Sequence, residues 1–205
     1  ALSQVALAKF KKDPVLGEIN SHLPEDMVIW GYSRVEGPPS ARRLVKLKVY
    51  RYYAYWPRSF DLDRVRDAIG MLIGEQEFGG LVKGSKKRAH ITDIEVVKNN
   101  DFIIFEFKGR YFAWQLVRRA VSALLKIGAG TFSITDLERI LSGNLSGLEP
   151  APSWGLVLFD VETDVDFTVD LRALRLATSR LRAKIQYYSS RYVLFNDLLE
   201  RLQQL

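Results

Sequence analysis

Apolar positions along the chain fall into runs of two different periods. Residues 44–56 alternate with period two, the pattern of a strand with unlike faces. One face carries Val45, Leu47, Val49, Tyr53 and Tyr55, with Arg51 among them, and the other carries Lys46, Lys48, Tyr50 and Tyr52. Leu62, Val65, Ile69 and Leu72 then recur at helical spacing, with Asp61 placed to cap the helix and Gly74 to end it. HITDIEVV (90–97) and DFIIFEFKG (101–109) read as two strands of a hairpin turning at KNN. YFAWQLVRRAVSALLKIGAG (111–130) predicts a second helix with Phe112, Leu116, Ala120, Val121 and Leu124 on its apolar side, closed by Gly128 and Gly130. A short helix follows from about Thr135, capped by Thr135 with Glu138 and stopping at Gly143, and GLVLFDVE (155–162) is the last strand.

In order, these elements spell β-α-β-β-α-β, so the expected fold class is α+β, a ferredoxin-like split antiparallel sheet with helices on one face. The expected organisation is a mixed segment 1–43, a ferredoxin-like half-domain 44–165 and a helical extension 166–205. The extension carries Leu171, Leu174, Leu181, Ile185, Tyr188, Tyr192, Phe195, Leu199 and Leu202 near heptad spacing. It is read as a helix or helical hairpin packed back on the domain, with a dimeric coiled coil as the alternative. Its arginines 172, 175, 180 and 182 are read as a solvated face.

If the helices cover the Val45, Leu47 and Val49 face, then Lys46, Lys48, Tyr50 and Tyr52 line an open one. Rings interleaved with cations suit unpaired RNA, whose bases stack while its phosphates meet Lys and Arg. The strand by itself leaves open whether Tyr50 and Tyr52 instead pack beneath the N-terminal segment or a partner chain. Charge tips the balance. The 205 residues hold 30 Lys and Arg against 24 Asp and Glu, a net of +6, and cations gather at Arg42, Arg43, Lys46, Lys48, Lys83, Lys86, Lys87 and Arg88. The chain has no cysteine and two histidines, which excludes disulfides, thiolate metal sites and a Cys nucleophile. No apolar run reaches the length of a membrane span and no signal-peptide layout opens the chain, so a soluble, cytoplasmic protein is expected.

Five stretches in order carry a resemblance to a known family. They are LPEDMVIWGY (23–32), SARRLVKLKVYRYY (40–53), GEQEFGGLVKG (74–84), LVRRAVSALLKIGAG (116–130) and APSWGLVL (151–158). Together they resemble the C-terminal part of the tRNA pseudouridine synthase A (TruA-type) catalytic domain. The resemblance implies isomerisation of uridine to pseudouridine in the anticodon stem-loop of tRNA, with no metal or organic cofactor and commonly as a homodimer. It implies that Tyr50 lies against the target base, that Arg118 pairs with the catalytic aspartate, and that Leu156 packs under the base, with Leu158 close in register. It also implies a phosphate contact for Arg42. The family's aspartate lies in a G-R-T-D-x-G-V-x-A segment that this sequence does not contain, and none of Asp61, Asp93, Asp101 or Asp160 has those surroundings. The expectation is a piece of a longer synthase that binds RNA weakly and turns over nothing by itself. Two rival readings stand beside it. One is a non-catalytic RNA-binding module of the RNA-recognition-motif type, for which KGRYF (108–112) supplies two positions of the signature. The other is an interaction domain dimerising through its C-terminal helices.

Overall fold

The computed structural model describes residues 4–36, 40–82 and 87–204. In chain order the elements are α1 (Leu16–Ser21), β1 (Gly31–Tyr32), β2 (Val45–Tyr55), α2 (Leu62–Ile69), β3 (Gly74–Glu77), β4 (Arg88–Asn99), β5 (Phe102–Tyr111), α3 (Leu116–Gly128), α4 (Ile134–Leu141), β6 (Leu156–Thr163), β7 (Thr168–Val169) and α5 (Leu171–Gln203). The described residues divide into two compact units, one comprising 4–7 and 40–164 and the other joining 8–36 to 165–204.

The larger unit is an antiparallel five-stranded sheet in the order β3-β4-β5-β2-β6. Without β3, this is the split β-α-β-β-α-β arrangement expected from the sequence, with the first and last strands side by side and the hairpin next to them. The four-residue β3 extends the β4 edge, and nothing in the periodicity of GEQE announced it. Asp61 caps α2 as expected, its carboxylate accepting from the backbone N–H groups of Asp63 and Arg64 at 3.1 and 3.0 Å. The cap of α4 lies two residues earlier than expected. Ser133, not Thr135, is the N-cap and Asp136, not Glu138, completes the box. Starting at Ile134 buries Leu137 and Ile140, so packing chose between two overlapping box patterns.

The polarity of β2 is the reverse of the expected one. Its register with β5 sets Tyr50, Tyr52 and Ala54 opposite Phe107, Phe105 and Ile103, and those three are fully buried under the helices. Tyr52, expected outside, is only 3% exposed, while Tyr53 and Tyr55, expected inside, are 37% and 51% exposed. The aliphatic run Val45, Leu47 and Val49 suggested the wrong face. Val49 is buried on the open side, between its register partners Lys108 and Asp160, so a buried valine did not identify the helix-covered surface.

The open face closes on itself electrostatically. Arg51 donates from Nε to Glu106 at 2.5 Å, with its guanidinium 3.5 Å from the centre of the Phe159 ring. Lys108 reaches Glu95 at 3.0 Å, Asp93 at 3.1 Å and Glu106 at 3.4 Å. Hydrogen bonds to Glu95 and then Asp93 hold the Lys108 ammonium well above its ordinary pKa. Three carboxylates against two cations give this patch the wrong sign for a polyanion.

In the smaller unit, β1 and β7 pair antiparallel. Asn20 bridges the chain by donating to the Ile29 carbonyl at 2.9 Å and accepting from its N–H at 2.7 Å. Asp170 caps α5 through the N–H groups of Arg172 and Ala173. Of the two expected forms, helix or hairpin, α5 takes the first: it is one uninterrupted helix of 33 residues, with Ala173 buried. Arg180, read as part of a solvated face, donates to the carbonyls of Glu25 and Met27 at 3.1 and 3.2 Å. Among the described residues no helix is long and apolar enough to cross a membrane.

Candidate active site

The covered face of β2 becomes a site because its cover runs out. Eleven residues of strand extend about 36 Å, against about 20 Å for the thirteen-residue α3. Along the even-numbered positions exposure rises toward the strand's start: Tyr52 is buried, Tyr50 and Lys48 are half-buried, and Lys46 is exposed. Tyr50 therefore sits at the rim of the helical cover. Its ring meets Phe112 edge-on with centroids 5.0 Å apart, and burial raises its phenol pKa. Phe112 was expected within the second helix. It lies instead on the link from β5 to α3, which begins at Leu116 after Gln115 takes a left-handed backbone, φ 58°.

Tyr52 is the pillar beside it. Its hydroxyl donates to the Pro152 carbonyl at 3.0 Å, and its pKa is raised by burial, against a lowering from the nearby Arg118 charge. Arg118 donates from Nε to the Ala151 carbonyl at 2.5 Å, and Ala151 returns its N–H to the Arg118 carbonyl at 3.0 Å. The adjacent Arg119 is 3% exposed and donates to the Leu148 carbonyl. Successive arginines of α3 thus clamp the LEPAP segment from both ends, and that segment holds Tyr52. Prolines 150 and 152 have no N–H to offer, so the carbonyls are the handles by which the segment is held. Gly155 completes the fit: a Cβ there would lie 2.7 Å from Tyr52 Cζ and 2.8 Å from the Tyr53 carbonyl oxygen.

The three residues singled out as catalytic come together around this pillar. Leu156 is the β6 register partner of Tyr52, Leu158 is that of Tyr50, and Arg118 acts on Tyr52 from α3. Leu156 is half-buried and packs against the core, as does Tyr50. Among the described residues Arg118 makes no ion pair, so its guanidinium is anchored through Nε with no acid beside it. Two tryptophans that sequence reasoning passed over flank the same segments. Trp154, in the turn before Leu156, is 86% exposed, and Trp114, two residues after Phe112, is 67% exposed.

The cations expected to meet RNA are distributed unevenly. Arg42 and Arg43 stand exposed on a 3-10 turn, Ala41–Arg43, capped by Ser40 just before β2. Lys46 pairs with Asp164. Lys48 is half-buried on the Tyr50 face, opposite Gly109 and Val161. Lys87 is half-buried, and Arg88 pairs with Glu75 at 2.9 Å. Lys83 and Lys86 lie outside the described residues.

The chain is similar in sequence to known proteins. The family model for tRNA pseudouridine synthase matches residues 68–164. A tRNA pseudouridine synthase A from Archaeoglobus fulgidus is 33% identical over 185 residues, covering 87% of this chain and 69% of the relative. The enzyme of that name from Pyrobaculum aerophilum is 35% identical over 182 residues, 85% of this chain and 70% of its own length. That from Thermococcus kodakarensis is 30% identical over 187 residues, 89% and 70%. With identities of 30 to 35% over more than two thirds of each of these relatives, the chain belongs to the tRNA pseudouridine synthase A family.

Proposed function

We propose that the chain forms the base-binding half of a tRNA uridine isomerase acting on the anticodon stem-loop, with its nucleophilic carboxylate supplied from outside these 205 residues. The observation that carries this reading is Arg118: held through Nε by Ala151, beside the Tyr50–Tyr52 face, and without an ion-pair partner among the described residues. Detaching a base from ribose, rotating it and rejoining it through carbon needs the base out of its stack and enclosed. A carboxylate that attacks during this exchange must stay ionised and aimed, and an arginine fork supplies both conditions. Tyr50 and Phe112 offer an aromatic wall, and Leu156 and Leu158 an apolar floor, to the extruded ring. Trp154 and Trp114 offer flat faces to its neighbours, and Arg42 and Arg43 offer charge to the phosphates.

The test is release of tritium from unmodified tRNA carrying uridine labelled at carbon 5, the position that becomes the glycosidic carbon. The 205-residue chain alone is expected to bind the tRNA with a steep salt dependence and to release no tritium. Release at a catalytic rate by this chain alone would place the nucleophile within it and refute the division proposed.

A further inference from the structure

A cation at the rim of the Tyr50 face has no counter-ion among the described residues. Lys46 pairs with Asp164, Arg51 with Glu106, and Lys108 with three carboxylates. Lys48, between them on the strand, enters no ion pair and no side-chain hydrogen bond among the described residues. Its cross-strand partners, Gly109 on β5 and Val161 on β6, carry no charge, and it is half-buried. Drawing a charge part-way out of water without a partner is costly. The Phe112 ring folds back over Gly109, where a Cβ would lie 2.7 Å from its Cζ, and the same ring meets Tyr50 edge-on. Lys48 therefore stands two residues from Tyr50 on one face of β2, opposite the glycine that Phe112 covers.

We propose that Lys48 binds a phosphate attached to the ribose of the same nucleotide whose base Tyr50 and Phe112 receive. This assignment rests on the base-binding reading of the face and adds the nucleotide's backbone to it. Side chains two residues apart on a strand stand ~6.7 Å from one another, about the span from a pyrimidine ring to a phosphate on its own ribose. The order along β2 also separates two tasks. Arg118 acts on Tyr52, on the far side of Tyr50 from Lys48, so a carboxylate paired with Arg118 approaches from the Tyr52 side and leaves Lys48 to the backbone. A base that is detached and turned needs its sugar-phosphate held in place meanwhile. An ammonium beside the pocket holds the phosphate by charge, while Tyr50 and Phe112 leave the ring free to rotate. Arg42 and Arg43, exposed on the turn ahead of β2, are left for phosphates farther along the RNA.

Binding of the 205-residue chain to an unmodified anticodon stem-loop, followed by fluorescence anisotropy, reads this position. Lys48→Met is expected to weaken binding about tenfold and to flatten the slope of log affinity against log salt by about 0.7, with near-ultraviolet dichroism unchanged. Lys48→Arg should stay within about twofold of the parent, as should Lys46→Met, which removes a lysine already paired with Asp164. Two series of the same RNA locate the contact. In one, each loop phosphate in turn is a neutral methylphosphonate, and in the other each loop base in turn is removed. A single methylphosphonate is expected to abolish the effect of Lys48→Met, a single abasic position to abolish that of Tyr50→Leu, and both to belong to one nucleotide. An equal loss with Lys48→Met on every methylphosphonate RNA overturns the proposal, as does a phosphate on a different nucleotide from the base. A Tyr50→Leu effect that no abasic position removes refutes the base-binding reading itself, and the assignment of Lys48 with it.

Discussion

Replacing Arg118 with glutamine in an enzyme that unites this chain with its aspartate-bearing segment is expected to lower tritium release by about 10³-fold, or about 4 kcal/mol in the barrier. The magnitude follows from what the guanidinium does. Anchored through Nε on the Ala151 carbonyl and in no ion pair among the described residues, it would, in the function proposed, turn its remaining nitrogens to the carboxylate in a site closed around a base. Leaving that carboxylate without a partner costs several kcal/mol and raises its pKa, so the nucleophile spends less time ionised at neutral pH. Lysine at the same position restores a charge but not the fork, so it should recover part of the loss. Tyr52→Phe provides the contrast. It removes one hydrogen bond to Pro152 worth about 1 kcal/mol and should cost mainly stability, read by urea unfolding.

The second large effect is one of packing. Gly79→Ala is expected to destabilise the larger unit by about 3 kcal/mol in urea unfolding. A Cβ at Gly79 would lie 2.0 Å from the Leu141 carbonyl oxygen and 2.9 Å from its carbon, and neither atom is the end of a flexible side chain. The turn Gly79–Leu81 packs against the end of α4 at backbone distance, so the change must separate the two. Gly70 is the control within the same unit: nothing lies within 4 Å of a Cβ there and its φ of −53° is helical. Gly70→Ala should be neutral or stabilise by up to ~1 kcal/mol through the unfolded chain.

What could be read from the sequence, and what could not, follows from the range of the forces involved. Periodicity and turn chemistry are local, so β2, the β4–β5 hairpin, α2 and the body of α3 stood out, and their order determined the sheet. The face of β2 that meets the helices is a tertiary matter. Val45, Leu47 and Val49 satisfied the local rule, while the buried β5 row of Ile103, Phe105 and Phe107 decided the outcome. That row lies under the helices and draws Tyr50, Tyr52 and Ala54 to the same side. Tyr50 and Arg118 could be singled out as candidates because each stands in a stretch that resembles a family motif. Phe112, Trp114 and Trp154 could not be placed near them, since their positions arise from where the chain turns after β5 and before β6. The cap at Ser133 shows the same limit, with two overlapping box patterns separated only by what Leu137 and Ile140 bury. In α5 the heptad stripe was plain, but whether it ran through one helix or turned in a hairpin was not, and it is one helix.

The central claim is that RNA meets the rim of the helix-covered face and not the open face of the sheet. Hydroxyl-radical footprinting of this chain with an unmodified anticodon stem-loop, read residue by residue by mass spectrometry, tests it most directly. Trp154, Trp114 and Tyr50 are expected to be protected when the RNA is bound, while Tyr53 and Tyr55 react as they do in the free protein. Protection of Tyr53 and Tyr55 with Trp154 and Tyr50 unchanged would contradict the account.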